Sequence, residues 1–204
     1  MAPKTSGEKD DWMKQLDAEL EKQTQEIMKD AAELQTQMGA LNKTLICDFD
    51  RIKERFDKQR VFLTMEPQRS VYAQQDDTQE KWDFKNEFRP EEIRNIQLID
   101  RTQEQGRMGD SLKVWYYNDN GVVRMRMIFE YCEGEHYYKY AGWKRVFGQF
   151  VIYDAALSDV EIDMVHDKMA VVVKAWYESH LRHNREVLIN ALKENFEKGE
   201  TFTE

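Results

Sequence analysis

The sequence contains little proline, glycine or cysteine, and each shortage limits what the chain can form. Three prolines and nine glycines in 204 residues favour long, regular helices and strands over a loop-rich fold. Cys47 falls in a helical pattern and Cys132 in a strand-like one, so two such cysteines do not indicate a disulfide framework. We therefore expect two free thiols in an intracellular, cytoplasmic protein.

Long apolar runs and an excess of basic residues are also missing. No stretch approaches the 18 consecutive apolar residues of a membrane-spanning helix, and the first residues lack the apolar segment of a secretory signal. The chain has 30 basic and 39 acidic residues, and its net charge is −9. This balance argues against general binding to nucleic acid or to anionic membranes, and we expect neither a nucleic-acid partner nor a membrane span.

Motifs for catalysis, cofactors and metals are absent as well. The sequence has no glycine-rich phosphate loop, no Gly-x-Ser-x-Gly elbow and no His-Glu-x-x-His run. His180 and His183 are three residues apart and can share one side of a helix, but neighbouring arginines oppose the binding of a cation and no third ligand stands at a fixed spacing. We predict no catalytic, cofactor or metal site, which argues against an enzyme without excluding one.

A long helical pattern opens the chain. From Trp12 to Leu63 there is no proline, and Gly39 is the single glycine. Apolar or small residues recur every seven positions in two series, which predicts a coiled-coil-like helix over residues 10–64. The seam of this helix could pack on a second copy, on another protein, on the C-terminal helix or in the core of its own domain. The two series are Met13, Leu20, Ile27, Leu34 and Leu41, and Thr24, Ala31, Met38, Leu45 and Ile52.

Two β-rich runs meet at Asn120-Gly121, the dipeptide that most strongly predicts a two-residue hairpin turn. Counting outward from this turn places Trp115 opposite Arg126 and Tyr117 opposite Arg124. Cross-strand stacking between these aromatic and arginine side chains is one interpretation of the pattern. The other is a recognition surface, because tryptophan, tyrosine and arginine are enriched in protein interfaces.

Strand-like runs continue on both sides of this hairpin, and a second helical pattern closes the chain. Ser158 and Glu161 are spaced as a capping box, which predicts one long helix from Asp159 to about Lys198. We predict an α+β fold with a long N-terminal helix, a small antiparallel sheet of four to five strands and a long C-terminal helix. The predicted organisation is a disordered tail over 1–9, the long helix or coiled coil over 10–64, a linker or loop over 65–83, and an α+β head over 84–204.

These features favour a non-enzymatic protein–protein interaction subunit or adaptor of a larger intracellular assembly that oligomerises through its N-terminal coiled coil. The alternative is a small-molecule-binding or enzymatic α+β domain, with an apolar pocket under the sheet lined by Tyr116, Met125, Met127, Tyr138 and Trp143. In the favoured interpretation the partner is a protein or a second copy of the chain. The predicted partner-binding residues are Leu20, Ile27, Leu34, Met38, Leu41, Leu45, Trp115, Tyr117, Arg124 and Arg126.

Overall fold

The structure is a computed structural model that describes residues 7–68, 89–102, 109–140 and 142–203. It confirms the α+β class, with a long N-terminal helix, an antiparallel sheet and helices near the C-terminus. Short 3-10 turns precede β2 and α2. The helices are α1 (Gly7–Asp57), α2 (Ile162–Leu181) and α3 (Glu186–Asn195), and the strands are β1 (Leu63–Gln68), β2 (Asn95–Asp100), β3 (Ser111–Asp119), β4 (Val122–Tyr138), β5 (Gly142–Ala156), β6 (Glu197–Lys198) and β7 (Phe202–Thr203).

The seven strands form one antiparallel sheet in the order β1-β2-β3-β4-β5, with β6 and β7 both pairing along the free edge of β5. The predicted number of four to five strands is therefore too low. β6 and β7 have two residues each, which is too short to leave an alternating pattern in the sequence. β1 was missed because it contains Pro67, a residue that sheets tolerate at an edge strand such as this one.

Some predicted boundaries move, and others lie outside the described residues. The predicted linker over 65–83 begins inside β1, which pairs with β2 along its whole length, and residues 69–83 are not among those described. Residues 7–9 of the predicted disordered tail belong to α1, and residues 1–6 are also not described.

The central hairpin forms in the predicted register. Trp115 pairs with Arg126 and Tyr117 pairs with Arg124 across β3 and β4. Asn120 and Gly121 both have positive φ angles, of 51° and 88°, as a type I′ turn requires. The prediction succeeded because a two-residue turn determines the pairing of both strands by counting alone.

Helix α1 has 51 residues and is about 76 Å long at 1.5 Å per residue. Its second half packs against the sheet and α2, where Met38, Leu45, Phe49 and Phe56 are buried in the chain's own core. In the first half, every residue from 13 to 33 is exposed within the part of the chain that the structure describes. The predicted long helix is thus confirmed. The second half of its seam packs against the sheet and α2, and a coiled coil remains a proposal.

A buried polar side chain attaches α1 to the sheet. The Asn42 amide donates hydrogen bonds to the Pro90 carbonyl at 2.7 Å and the Ile93 carbonyl at 3.1 Å, and its oxygen accepts one from the Tyr116 hydroxyl at 2.9 Å. Gly39 lets the turn before β2 come close, because a Cβ at this position would lie 3.3 Å from the Glu91 Cβ. Asn42 therefore fixes the rotation and the position of α1 on the sheet.

The core between the sheet and the helices is centred on Trp176 of α2. Its ring centroid lies 5.2 Å from that of Phe56 on α1 and 5.1 Å from that of Phe129 on β4, in tilted and edge-to-face geometry. All three rings are fully buried. Aromatic pairs of this geometry add to the stabilisation that their burial provides, so α1, α2 and β4 are joined at one point.

The single C-terminal helix predicted over Asp159 to Lys198 is wrong. The chain turns between α2 and α3, where His183 has a φ angle of 47° and the Asn184 side chain accepts a hydrogen bond from the Glu186 N–H at 3.0 Å. A contact of His180 with Asp100 at 3.0 Å and an ion pair of Arg185 with Asp110 hold this turn to the sheet. These tertiary contacts, with the local cap at Asn184, favour a break that a helical apolar pattern does not reveal.

Replacing Leu45 with alanine should reduce the free energy of unfolding by about 2–5 kcal/mol, because it leaves a cavity in the core. The matched change Leu20→Ala removes the same atoms from a half-exposed side chain of the same helix, and should change stability by less than about 0.5 kcal/mol. Urea unfolding of both variants in dilute solution compares the two values. Equal losses would contradict the division of α1 into a packed and an exposed half.

Candidate interaction surfaces

The first surface is the part of α1 that extends beyond the sheet, residues 13–34, which we call the overhang. Five large apolar side chains are exposed along it, by between 42% and 68% of their area: Met13, Leu16, Leu20, Ile27 and Met28. The described residues leave positions 13–33 of this segment exposed, while Leu34 at its end is partly buried. Contiguous exposed apolar side chains on a soluble protein commonly mark a binding surface.

Apart from Met28, the exposed apolar side chains of the overhang lie on one continuous stripe with the buried side chains of α1. At 100° per residue, Leu16, Leu20 and Ile27 lie within about 40° of the direction of Met38. Leu45 and Phe56 share this direction, and both are buried against the sheet and α2, which we call, together with α3, the body. The overhang therefore presents to solvent the same face that the sheet and α2 cover further along the helix.

The ion-paired charges of the overhang lie on the far side of the helix from this stripe. Lys22 pairs with Glu26, and Lys29 with Glu33, each at 4.0 Å and with highly exposed side chains. Exposed pairs of this kind contribute little to stability. Their position leaves the stripe without ion pairs of its own, as is usual for a helix face that packs against an apolar surface.

The structure divides the predicted partner-binding residues of α1 into two groups. Leu20 and Ile27 are exposed, whereas Met38 and Leu45 are buried in the core. Leu34 and Leu41 are partly buried and pack against that core, while Leu34 also ends the overhang. Leu20, Ile27 and the exposed edge of Leu34 therefore remain candidates for partner binding. Met38, Leu41 and Leu45 already pack in the core of this chain.

The second surface is on the opposite face of the sheet, around Arg124 and Arg126. Both arginines form ion pairs with Asp154 of β5, and the Tyr117 hydroxyl donates hydrogen bonds to the same carboxylate at 2.9 and 3.1 Å. The Arg126 guanidinium lies 4.8 Å from the centroid of the Tyr117 ring and 6.0 Å from that of Trp115. We call these five residues the arginine cluster.

Asp154 is the member of the arginine cluster that sequence reasoning missed. It pairs with Arg126 across β4 and β5, but a register shift between Met127 and Ile128 separates this end of the ladder from the remainder. Counting from the Asn120-Gly121 turn could not reach it, because β4 and β5 are joined by a different turn and interrupted by irregularities. A regular pattern would have been needed to extend the register that far.

The surroundings of Asp154 keep it ionised. Burial alone would raise its pKa, but hydrogen bonds from Arg126, Tyr117 and Arg124 outweigh this effect and lower the pKa below the usual value. The carboxylate in turn satisfies donors on both arginines. The arginine cluster is thus internally paired, which favours the structural interpretation of the aromatic–arginine ladder over the recognition surface.

Charges elsewhere on this face are also paired. Lys113 and Glu130 are both buried and form an ion pair, and the Arg101 guanidinium lies 2.8 Å from the Glu66 carboxylate. A buried charge is strongly destabilising without a partner, which accounts for the direct contact of Lys113 and Glu130. Within the described residues, the charges of these two pairs are therefore satisfied by each other.

The predicted pocket under the sheet coincides with packed core where the structure describes it. Tyr116, Met125 and Met127 are buried and belong to the core, whereas the side chains of Tyr138 and Trp143 lie outside what is described.

A groove of about 370 Å³ occurs elsewhere, at the base of the overhang. It is lined by Gln35, Thr36, Gly39, Ala40, Lys43, Pro90 and Glu91.

Neither a metal site nor a membrane helix is found in the described part of the chain. Over these residues, no three histidine, cysteine or acidic side chains are grouped so that they could hold a metal ion. His180, a candidate ligand from the sequence, is paired with Asp100. Among the described helices, none is both long enough and apolar enough to cross a membrane.

Comparison of the chain with protein-family models, curated proteins and solved structures finds no significant match. The two surfaces described above are therefore the features of the molecule that point to a function. Of these, the overhang has uncovered apolar side chains, whereas the charges of the arginine cluster are paired with each other.

Replacing Asp154 with asparagine should lower the free energy of unfolding by about 1–3 kcal/mol at pH 7, since charge-assisted hydrogen bonds are lost. A carboxyl group whose folded-state pKa is lowered stabilises the fold above its unfolded pKa of about 3.9, and this contribution disappears as the pH falls through the lower folded value. The difference from the unmodified chain should therefore shrink below about pH 4.

Urea unfolding at pH 7 and at acid pH measures this dependence, and Asp167→Asn is the control because Asp167 is an exposed carboxylate on α2. The control should change stability little at either pH. A loss for Asp154→Asn that is the same at both pH values would show that its charge does not stabilise the fold.

Proposed function

We propose that this chain is a non-enzymatic protein–protein interaction subunit or adaptor of a larger intracellular assembly, and that it associates through the overhang. The observation that carries the proposal is the exposed apolar stripe with Leu20 and Ile27 on a helix segment that the described part of the body does not cover. The α+β body closes one end of this helix and holds it in a defined direction.

Energetic considerations support an interaction at this stripe. Helices in proteins draw most of their stability from packing an apolar face, and isolated helices are marginal in water. Complete burial of a leucine, isoleucine or methionine side chain contributes about 1.5–3 kcal/mol. Covering the four half-exposed ones on the stripe, Met13, Leu16, Leu20 and Ile27, therefore gains on the order of 3–6 kcal/mol from this chain, and the apolar surface of the partner contributes in addition. Association costs about 4–15 kcal/mol in lost freedom of motion. The stripe can therefore support a reversible complex.

The proposal places association on the overhang in preference to the arginine cluster. Arg124 and Arg126 are already bound to Asp154, and a partner that recruited them would have to compensate for that lost pairing. A partner on the stripe displaces only water from apolar side chains. An interaction protein is also favoured over the alternative of a ligand-binding domain. The described residues of the predicted pocket, Tyr116, Met125 and Met127, are themselves packed in the core.

The test is a variant that carries Leu20→Asp and Ile27→Asp, which places two charges on the stripe. The matched control, Ala18→Asp with Gln25→Asp, adds the same charges at the same spacing on the far side of the helix. Cross-linking in native cell extract, followed by mass spectrometry, locates intermolecular links to Lys14, Lys22 and Lys29 of the overhang.

We expect the unmodified chain and the control to form such links, either to a second copy or to another protein. The stripe variant should lose them by at least tenfold, because charges cannot be buried without partners. Absence of intermolecular links from the unmodified chain, or equal links from the stripe variant, would contradict the proposed function.

A further inference from the structure

We infer that the surface that covers the overhang is the overhang of a second copy of this chain, packed in the antiparallel direction. This inference rests on the proposed function, because it names the partner of the same stripe. It follows from three features of α1: the side of the helix that the body occupies, the spacing of the apolar residues, and the length of the uncovered segment.

The position of the body excludes a parallel pair. In a parallel pair, the two copies of α1 would face each other along the stripe and would continue side by side past Leu34. From Met38 onward, however, the stripe of each helix is covered by its own sheet and α2. In a parallel pair, the second helix would therefore occupy the space that the sheet already fills. In an antiparallel pair, the second helix runs away from the sheet of the first copy and does not enter that space.

The stripe is complementary to itself when it is reversed. With a two-fold axis between Gln23 and Thr24, each residue faces the one equally far from this midpoint in the other copy. Leu20 then faces Ile27, so two exposed apolar side chains meet on each side of the axis. Such self-complementarity is what a two-fold interface requires. The other apolar contacts in this register are Met13 with Leu34 and Leu16 with Ala31.

The length of the overhang matches this register. Residue 9 of one copy reaches the level of Met38 in the other, where the buried part of the stripe begins. Helix α1 starts two residues earlier, at Gly7. The two helices therefore overlap over nearly all of the uncovered stripe, and each ends where the body of the other copy begins.

Charges near the stripe are compatible with this arrangement. Asp17 and Asp30 stand at the same level in the two copies, but they lie on opposite flanks of the stripe at 100° per residue. In an antiparallel pair each flank faces the same flank of the other copy, which keeps these two carboxylates apart. The ion pairs of Lys22 and Lys29 stay on the outer faces of the helices.

Cysteine cross-linking distinguishes the possible arrangements. In a Cys47→Ser, Cys132→Ala background, one chain carries Ala31→Cys and another carries Leu16→Cys. In the antiparallel pair these two positions face each other, whereas two copies of position 31 are about 22 Å apart along the axis. A short bis-maleimide reagent should therefore link Leu16→Cys to Ala31→Cys, and should link Ala31→Cys to itself at least tenfold less. Thr24→Cys, beside the two-fold axis, should link to itself and is the positive control.

Light scattering at several concentrations accompanies the cross-linking. The mass of the unmodified chain should rise from 24.5 kDa towards twice that value, and the Leu20→Asp, Ile27→Asp variant should remain a monomer. Circular dichroism checks that each cysteine variant keeps its helix content.

Two results would overturn the inference. Efficient linking of Ala31→Cys to itself would show a parallel pair. A monomeric mass at every concentration, with no link at position 24, would show that a second copy does not occupy the stripe. The second result leaves the proposed function to its own test, since links from the overhang to a different protein in cell extract would then identify the occupant as that protein.

Discussion

The packing of the second half of α1 against the sheet is the interaction on which the rest of the structure depends. Phe49 and Phe56 bury one face of the helix in the core, and Asn42 fixes its rotation through hydrogen bonds to the turn before β2 and to Tyr116 of β3. Because α1 is one uninterrupted helix from Gly7 to Asp57, fixing one half also directs the other. The exposed stripe with Leu20 and Ile27 therefore points the same way as the buried one.

Polar contacts determine how the other helices lie on this core. His166 of α2 contacts the Asp48 carboxylate of α1 at 2.8 Å, while His180 contacts Asp100 at the end of β2. Burial alone would raise the pKa of Asp100, but hydrogen bonds from His180 and Thr102 lower it. Apolar burial has little directional preference, so such contacts select one arrangement among several that would bury similar area. The contacts of His180 with Asp100 and of Arg185 with Asp110 also favour the turn that the chain makes after α2.

Features governed by neighbouring residues were the ones that sequence reasoning predicted well. The register of β3 and β4 follows from Asn120-Gly121 alone, and the presence of a long N-terminal helix follows from an uninterrupted helical pattern without proline. The predicted end of that helix at residue 64 is wrong, because α1 ends at Asp57 and β1 begins at Leu63. The pairing of Arg126 with Asp154 could not be predicted, because register shifts between β4 and β5 remove the regular count that links distant residues. β1 escaped for a related reason, since Pro67 disguises a strand that only its pairing with β2 identifies.

By itself, the sequence determined that α1 is long and that its apolar residues share one face, because the helical repeat is a local property of the backbone. Only the tertiary structure decided which part of this face is core. Leu45 and Leu20 are the same residue type on the same stripe, yet one is buried in the core and the other is half-exposed. Burial depends on which elements lie opposite a side chain, and spacing along one helix contains no information about where the sheet ends.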